Sequence, residues 1–163
     1  MTVSAMIRRG AVIPDLSSTT KMPVLAELFA ALVDAGGMPR EGLEGAASAV
    51  LARERLGTTG IGRGIAVPHA KHDAVLGSVA AFGRSGKGIE FESLDGEPVH
   101  LVLMILSNRQ SPESHLRALA SAARIFQDET LIHAVRRADT ADEMLRILEA
   151  AELAATPGEE SRV

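Results

Sequence analysis

The stretch Val99-His-Leu-Val-Leu-Met-Ile-Leu106 limits this chain more than any other. Apart from His100 every residue is apolar, with no alternation of apolar and polar. A strand of that kind is buried on both faces, so it belongs inside a sheet covered on both sides. Its most apolar part, residues 101–106, is far too short to cross a bilayer. Helical patterns lie before and after it. We therefore expect an α/β fold: a mixed β-sheet flanked by helices on both faces, in a single domain. A length of 163 residues suits one domain. We place that domain at residues 1–155 and read 156–163, polar with Pro157-Gly158, as a flexible C-terminal tail.

Shorter strands are expected at residues 12–14, at 65–67 where Pro68 stops the strand, at 79–83, and at 88–91. Ser17, Ser18, Thr19 and Thr20 offer capping oxygens to a helix that contains Pro23 in its first turn and a stripe of Leu25, Leu28, Phe29 and Leu32. Gly36-Gly37 ends it. A second helix is expected over 40–56, with Leu43, Ala47, Val50 and Leu51 inward and Gly57 as its stop. Ser111-Pro112-Glu113 opens a third, with Leu116, Leu119, Ala120, Ala123 and Phe126 as its apolar face. Asp128 caps a short helix through residue 135, and Thr140-Ala-Asp-Glu143 has the capping-box pattern ahead of Met144, Leu145, Ile147 and Leu148. No internal repeat is visible, and the strands are too unevenly spaced for a regular alternation of strand and helix.

Composition removes several function classes. Seventeen basic against 21 acidic residues give a net charge of −4, and there are four Phe but no Tyr or Trp. Neither the positive field that phosphate backbones need nor the rings on which bases stack is present, so no nucleic-acid partner is expected. The absence of cysteine excludes a thiolate nucleophile and Cys-ligated metal. No export signal or membrane-spanning segment is visible, so the expectation is a cytoplasmic protein without membrane insertion.

The chemistry concentrates in Arg53-Glu-Arg-Leu-Gly-Thr-Thr-Gly-Ile-Gly-Arg-Gly-Ile-Ala-Val-Pro-His69. Gly60, Gly62 and Gly64 let a loop turn backbone N–H groups toward an anion. Thr58 and Thr59 add hydroxyls, and Arg53, Arg55 and Arg63 add positive charge. The string is not a nucleotide cradle. A P-loop needs Lys and Ser/Thr after its last glycine, where Ile65-Ala66 stand, and the dinucleotide fingerprint lacks its third glycine. What remains is a histidine beside an anion-binding loop. A neutral imidazole nitrogen can attack phosphorus, and a phosphoryl group on it is stabilised by arginine and N–H donors. With a phosphohistidine as donor, no cofactor and no metal is needed. His115 follows Ser111 by four residues, near a helix N-terminus that attracts phosphate and disfavours an imidazolium.

From Arg53 to Lys71, and above all in Gly60-Ile-Gly-Arg-Gly-Ile-Ala-Val-Pro-His-Ala-Lys71, the sequence resembles the IIA domains of the fructose/mannitol type in the bacterial sugar phosphotransferase system. It looks closest to their nitrogen-regulatory branch, over roughly residues 12–148. The resemblance implies a phosphotransferase component that works through a phosphohistidine intermediate. It implies that His69 accepts a phosphoryl group from a histidine phosphocarrier protein, that Arg53 supports the site and that His115 completes it. Thr59, Gly60, Gly62 and Gly64 are then the phosphoryl-binding loop. In transport systems the group passes to a IIB domain and on to sugar. With no fused IIB or membrane segment in sight, a regulatory carrier with its own target proteins is expected. Two positions depart from the family's habit: Arg63 stands where Asn is usual, and Ala70 where Gly is usual. Arg63 is expected to strengthen binding of anions or acidic partners.

Other readings compete. Arg53 and Arg55 fall on nearly opposite helix faces, so one of them faces the site, and the resemblance selects Arg53. His69, His72 and His115 invite a metal-hydrolase reading, but no zinc spacing supports it. His100 reads as a hydrogen-bonded strand histidine and His133 as a helix-surface one. Glu90, Glu92 and Asp95 read as solvated charge. A regulatory module that binds partners without being phosphorylated, and a sugar-transport subunit that hands phosphate to a separate IIB, are the functional alternatives.

Overall fold

The computed structural model describes residues 1–155, apart from the side chains of residues 8–10. The tail expected at 156–163 lies outside the described residues. In chain order the elements are α1 (Val3–Met6), β1 (Ile7–Ile13), α2 (Lys21–Asp34), α3 (Leu43–Leu56), β2 (Gly60–Gly62), β3 (Ile65–Ala66), β4 (His69–Lys71), β5 (Ser78–Ile89), β6 (Val99–Ser107), α4 (Pro112–Ile125), α5 (Glu129–Arg137) and α6 (Ala141–Ala155). A single 3₁₀ turn, Arg40–Gly42, leads into α3.

The strands form one six-stranded mixed sheet in the order β1-β5-β6-β3-β2, with β4 also paired to β6. β6 is antiparallel to β5 and parallel to both β3 and β4. Its side chains alternate between two cores. Leu101, Leu103 and Ile105 join α1, α4, α5 and α6 on one face, and Val102, Met104 and Leu106 join α2 and α3 on the other. The expected fold class, a mixed sheet with helices on both faces in one domain, is the observed one.

Several elements differ from expectation for local reasons. The strand expected at 12–14 begins at Ile7, because it pairs in parallel with β5. The strands expected at 79–83 and 88–91 are one strand, β5, whose register slips between Arg84 and Ile89. Gly88, at φ 93°, donates its N–H to Ser85 Oγ across that bulge. Ser17 and Ser18 do not cap α2; their N–H groups donate to the Glu27 carboxylate at 2.9 and 3.0 Å, and the N-cap Thr20 makes no side-chain cap bond. Ser111 likewise stands at the N-cap of α4 without a capping hydrogen bond.

The largest difference is the phase of α4. Its buried face is His115, Ala118, Ala122 and Ile125, with Phe126 just beyond the helix, whereas Leu116 is 67% exposed and Ala120 and Ala123 are also exposed. The small alanines let α4 lie close on β6, and the histidine takes the inward position a leucine was expected to fill. The last two helices start as expected. Asp128 accepts from the N–H groups of Thr130 and Leu131, and Thr140 Oγ1 accepts from Glu143 N at 3.1 Å.

Candidate functional site

β3 and β4 are two successive strand segments running parallel beside β6, broken at Val67-Pro68. Proline offers no N–H to a ladder, so pairing lapses there and resumes at His69. The Pro68 carbonyl still accepts from Ile105 N at 2.9 Å. The break turns the Val67 carbonyl toward the His69 ring, whose Nδ1 lies 2.8 Å from it. A carbonyl oxygen only accepts, so Nδ1 carries the hydrogen and Nε2 carries the lone pair. Nε2 makes no hydrogen bond. No buried side-chain nitrogen or oxygen among the described residues lacks a partner, so this lone pair opens onto free space.

That space is a cleft of about 840 Å³ lined by Ala49, Arg53, Leu56 and their neighbours on α3, His69 and Lys71 on β4, Arg109, and His115 and Leu119 on α4. It lies at the carboxyl ends of β4 and β6, where open α/β sheets commonly place ligands. The His69 and His115 rings stand 5.5 Å apart, centre to centre, tilted by 49°. His115 is 7% exposed, and its Nδ1 meets Ser107 Oγ at 2.9 Å.

Both imidazoles are held neutral. Burial, the largest influence, lowers the pKa of His69; the Val67 carbonyl opposes it and the Arg53 charge adds to it, leaving the group below the usual histidine range. Burial first, then the repulsion a protonated His69 would exert and the charge of Lys71, push His115 down to about 4. Arg53 comes from the last turn of α3, where a cation suits the helix dipole. One of its nitrogens donates to the Gly57 carbonyl at 3.0 Å. Arg55, two residues on, is exposed and does not line the cleft.

The structure thus brings together His69, His115 and Arg53. It does not bring the glycine loop to them. Residues 60–66 fold as a small β2–β3 hairpin, and three of its N–H donors are already taken by side chains. Gly60 N donates to Thr58 Oγ1, Gly62 N to Ser93 Oγ and Arg63 N to Asp95 Oδ2, at 3.1, 3.2 and 3.0 Å. Thr59, Gly60, Gly62 and Gly64 are absent from the cleft wall. Asp95, expected to be merely solvated, is a ligand of this hairpin. Thr59 is buried, with both its N–H and its hydroxyl donating to the Glu54 carboxylate, which also pairs with Lys21 at 3.1 Å. The Thr59 carbonyl accepts from Val67 N at 3.0 Å. The loop's contribution in this structure is therefore to anchor the segment that presents His69.

Arg63 also leaves its expected role. Its φ is 58°, and its guanidinium donates to the Phe126 carbonyl at 2.6 Å, beyond the end of α4 rather than into the cleft. His72 turns away from His69. Its Nδ1 accepts from Ala74 N, and its Nε2 packs so closely on Gly45 that a Cβ there would stand 2.7 Å away. No cluster of three metal-ligating side chains occurs among the described residues. His100 bonds the Ser85 carbonyl at 2.9 Å, and His133 is exposed on α5. Lys71, Arg109 and Ser107 were missed from the sequence. Lys71 was legible, since residues two apart on a strand share a side; the other two carried no local signal. No described helix is long and apolar enough to cross a membrane.

Comparison with known proteins identifies the family. The family model for the phosphoenolpyruvate-dependent sugar phosphotransferase system, EIIA 2, matches residues 5–151. A fructose-specific EIIABC component from Bacillus subtilis is 34% identical over 149 residues; the match covers 91% of this chain and 23% of that protein's length. A nitrogen regulatory protein from Bradyrhizobium diazoefficiens is 32% identical over 148 residues, covering 91% of this chain and 95% of the relative. The crystal structure of nitrogen regulatory protein IIA-Ntr from Neisseria meningitidis superposes with a TM-score of 0.79 at 26% identity, covering 90% of this chain and 98% of that one.

Proposed function

The chain belongs to the EIIA 2 family of the phosphoenolpyruvate-dependent sugar phosphotransferase system, and we propose that it is a phosphoryl carrier that bears the phosphoryl group on Nε2 of His69. The observation that carries this reading is the 2.8 Å bond from His69 Nδ1–H to the Val67 carbonyl, which leaves a lone pair facing a cationic cleft. The donor is a phosphohistidine on a histidine phosphocarrier protein. Its N–P bond breaks and the electron pair returns to the donor ring, while the His69 Nε2 lone pair forms the new N–P bond. Nε2 holds no proton, so none has to leave. The ring gains positive charge, which the Val67 carbonyl stabilises through Nδ1–H. Arg53 faces the transferring oxygens, and His115 donates a hydrogen bond to one of them.

Downstream, the carrier is regulatory and changes its binding of target proteins with its phosphorylation state. The match over nearly the whole length of a nitrogen regulatory protein supports this. Delivery to a IIB domain for sugar transport is the second reading, favoured by the fructose-specific relative. Intact mass after incubation with phosphoenolpyruvate, the general phosphotransfer enzyme and the histidine carrier protein tests the carrier reading. Wild type should gain one acid-labile phosphate and His69→Ala none. Phosphate on both, or on neither with a donor competent toward another IIA protein, would refute it.

A further inference from the structure

Behind His115 lies a second pair of polar side chains that the transfer step does not touch. Ser107 ends β6 and is fully buried. Its cross-strand partner is Ser78, at the start of β5. The two hydroxyl oxygens are 2.8 Å apart, and Ser107 Oγ is 2.9 Å from His115 Nδ1. The position is well fixed. The Ser107 carbonyl accepts from His72 N, and Asn108 N donates to the Gly77 carbonyl, each at 2.8 Å.

We propose that Ser107, backed by Ser78, is a positioning residue that holds His115 as its Nε2–H tautomer. A chain of two hydroxyls and one imidazole can run in two directions. In one, Ser78 donates to Ser107 and Ser107 donates to Nδ1, so the hydrogen sits on Nε2. In the other, Nδ1–H donates to Ser107 and Ser107 to Ser78, so Nε2 is a bare lone pair. His115 Nε2 makes no hydrogen bond, and by the same reasoning as for His69 it is open to the cleft. The second direction would aim a lone pair into the space where His69 also presents one, and where phosphoryl oxygens arrive. The first aims a donor there. The low pKa of His115 means that no second proton supplies that donor at neutral pH, so the tautomer alone decides it.

The choice of direction and its consequence for transfer rest on the proposed carrier function; the tautomer is read without transfer. The test is therefore double. Long-range ¹⁵N–¹H spectra of the unphosphorylated protein read the tautomer of His115, and single-turnover phosphorylation by the charged histidine carrier protein reads the rate. We expect Nε2–H in wild type and a mixture of tautomers in Ser107→Ala. Transfer should slow roughly tenfold in that variant, less than the loss of about 10² or more when such a donor is removed outright. Ser107→Thr, which keeps the hydroxyl, should restore both. Ser78→Ala, at a less buried position, should give an intermediate mixture and decides the matter if the Ser107 variants do not fold. A wild-type His115 carrying its hydrogen on Nδ1, or variants that leave tautomer and rate unchanged, would overturn the proposal. If wild type accepts no phosphate at all, the carrier reading fails, and the spectra still judge the tautomer.

Discussion

The imidazole of His69 stands 5.5 Å from that of His115, and each ring is tied at Nδ1, one to the Val67 carbonyl and the other to Ser107. Strand and helix arrive from separate parts of the chain, yet each leaves its Nε2 free toward one cleft. The proposed chemistry follows from that pairing: a lone pair on one ring, a donor on the other, and Arg53 lining the same cleft.

The arginine prediction separates two neighbours on α3. Arg53→Ala should lower the rate of phosphoryl transfer by about 10²-fold or more, as loss of a positioned charge-stabilising group does. Arg55→Ala should leave the rate near the wild-type value, because that side chain points to solvent outside the cleft. Single-turnover rates at saturating donor check both; equal losses would mean that the effect is long-range charge.

The low pKa of His115 makes stability depend on pH. Its value is about 4 in the folded chain against 6.5 for an ordinary histidine. Between those values the unfolded chain binds more protons, so unfolding is favoured as pH falls. The stabilisation is complete above pH 6.5 and is lost as pH drops toward 4. Urea midpoints from pH 7 to 4.5 should fall less steeply for His115→Gln than for wild type. Parallel slopes would contradict this account.

Much of the fold was legible because β6 carries no polar face for most of its length, which forces a two-sided sheet. The phase of α4 was misread for a reason of equal interest. Periodicity assigns leucines inward, but Leu116 faces solvent while His115 and three small or branched apolar residues take the buried face. The Pro-His string marked the proposed nucleophile, yet nothing local shows that Glu54 joins Lys21 to Thr59, or that Ser107 reaches His115. Those contacts depend on how distant segments pack. The glycines advertised an anion loop; Ser93 and Asp95, some thirty residues later, occupy its donors.

Glu54 offers a stability test of that hidden anchor. Its side chain is 4% exposed and joins Lys21, itself 17% exposed, to Thr59. Glu54→Ala leaves a largely buried ammonium and hydroxyl without their partner, which costs about 3–5 kcal/mol. At about 2–4 °C per kcal/mol for a chain of this size, melting should fall by at least about 6 °C. A shift of a degree or less would show that water replaces the carboxylate without penalty.

Arg63 should matter little for transfer. Arg63→Asn loses the bond to the Phe126 carbonyl but places a residue that tolerates positive φ at 58°. The two effects oppose, so stability should change by no more than about 1 kcal/mol. The transfer rate should stay unchanged. A large loss of rate with stability intact would put the Arg63 charge back in the site.

The most direct measurement is the site of phosphorylation on a single nitrogen. Protein labelled with ¹⁵N-histidine is phosphorylated through the histidine carrier protein, and ¹⁵N–³¹P coupling identifies the bonded atom. Coupling is expected to Nε2 of His69 alone, with Nδ1 still carrying its hydrogen toward Val67. Coupling to Nδ1 of His69, or to any nitrogen of His115, would contradict it.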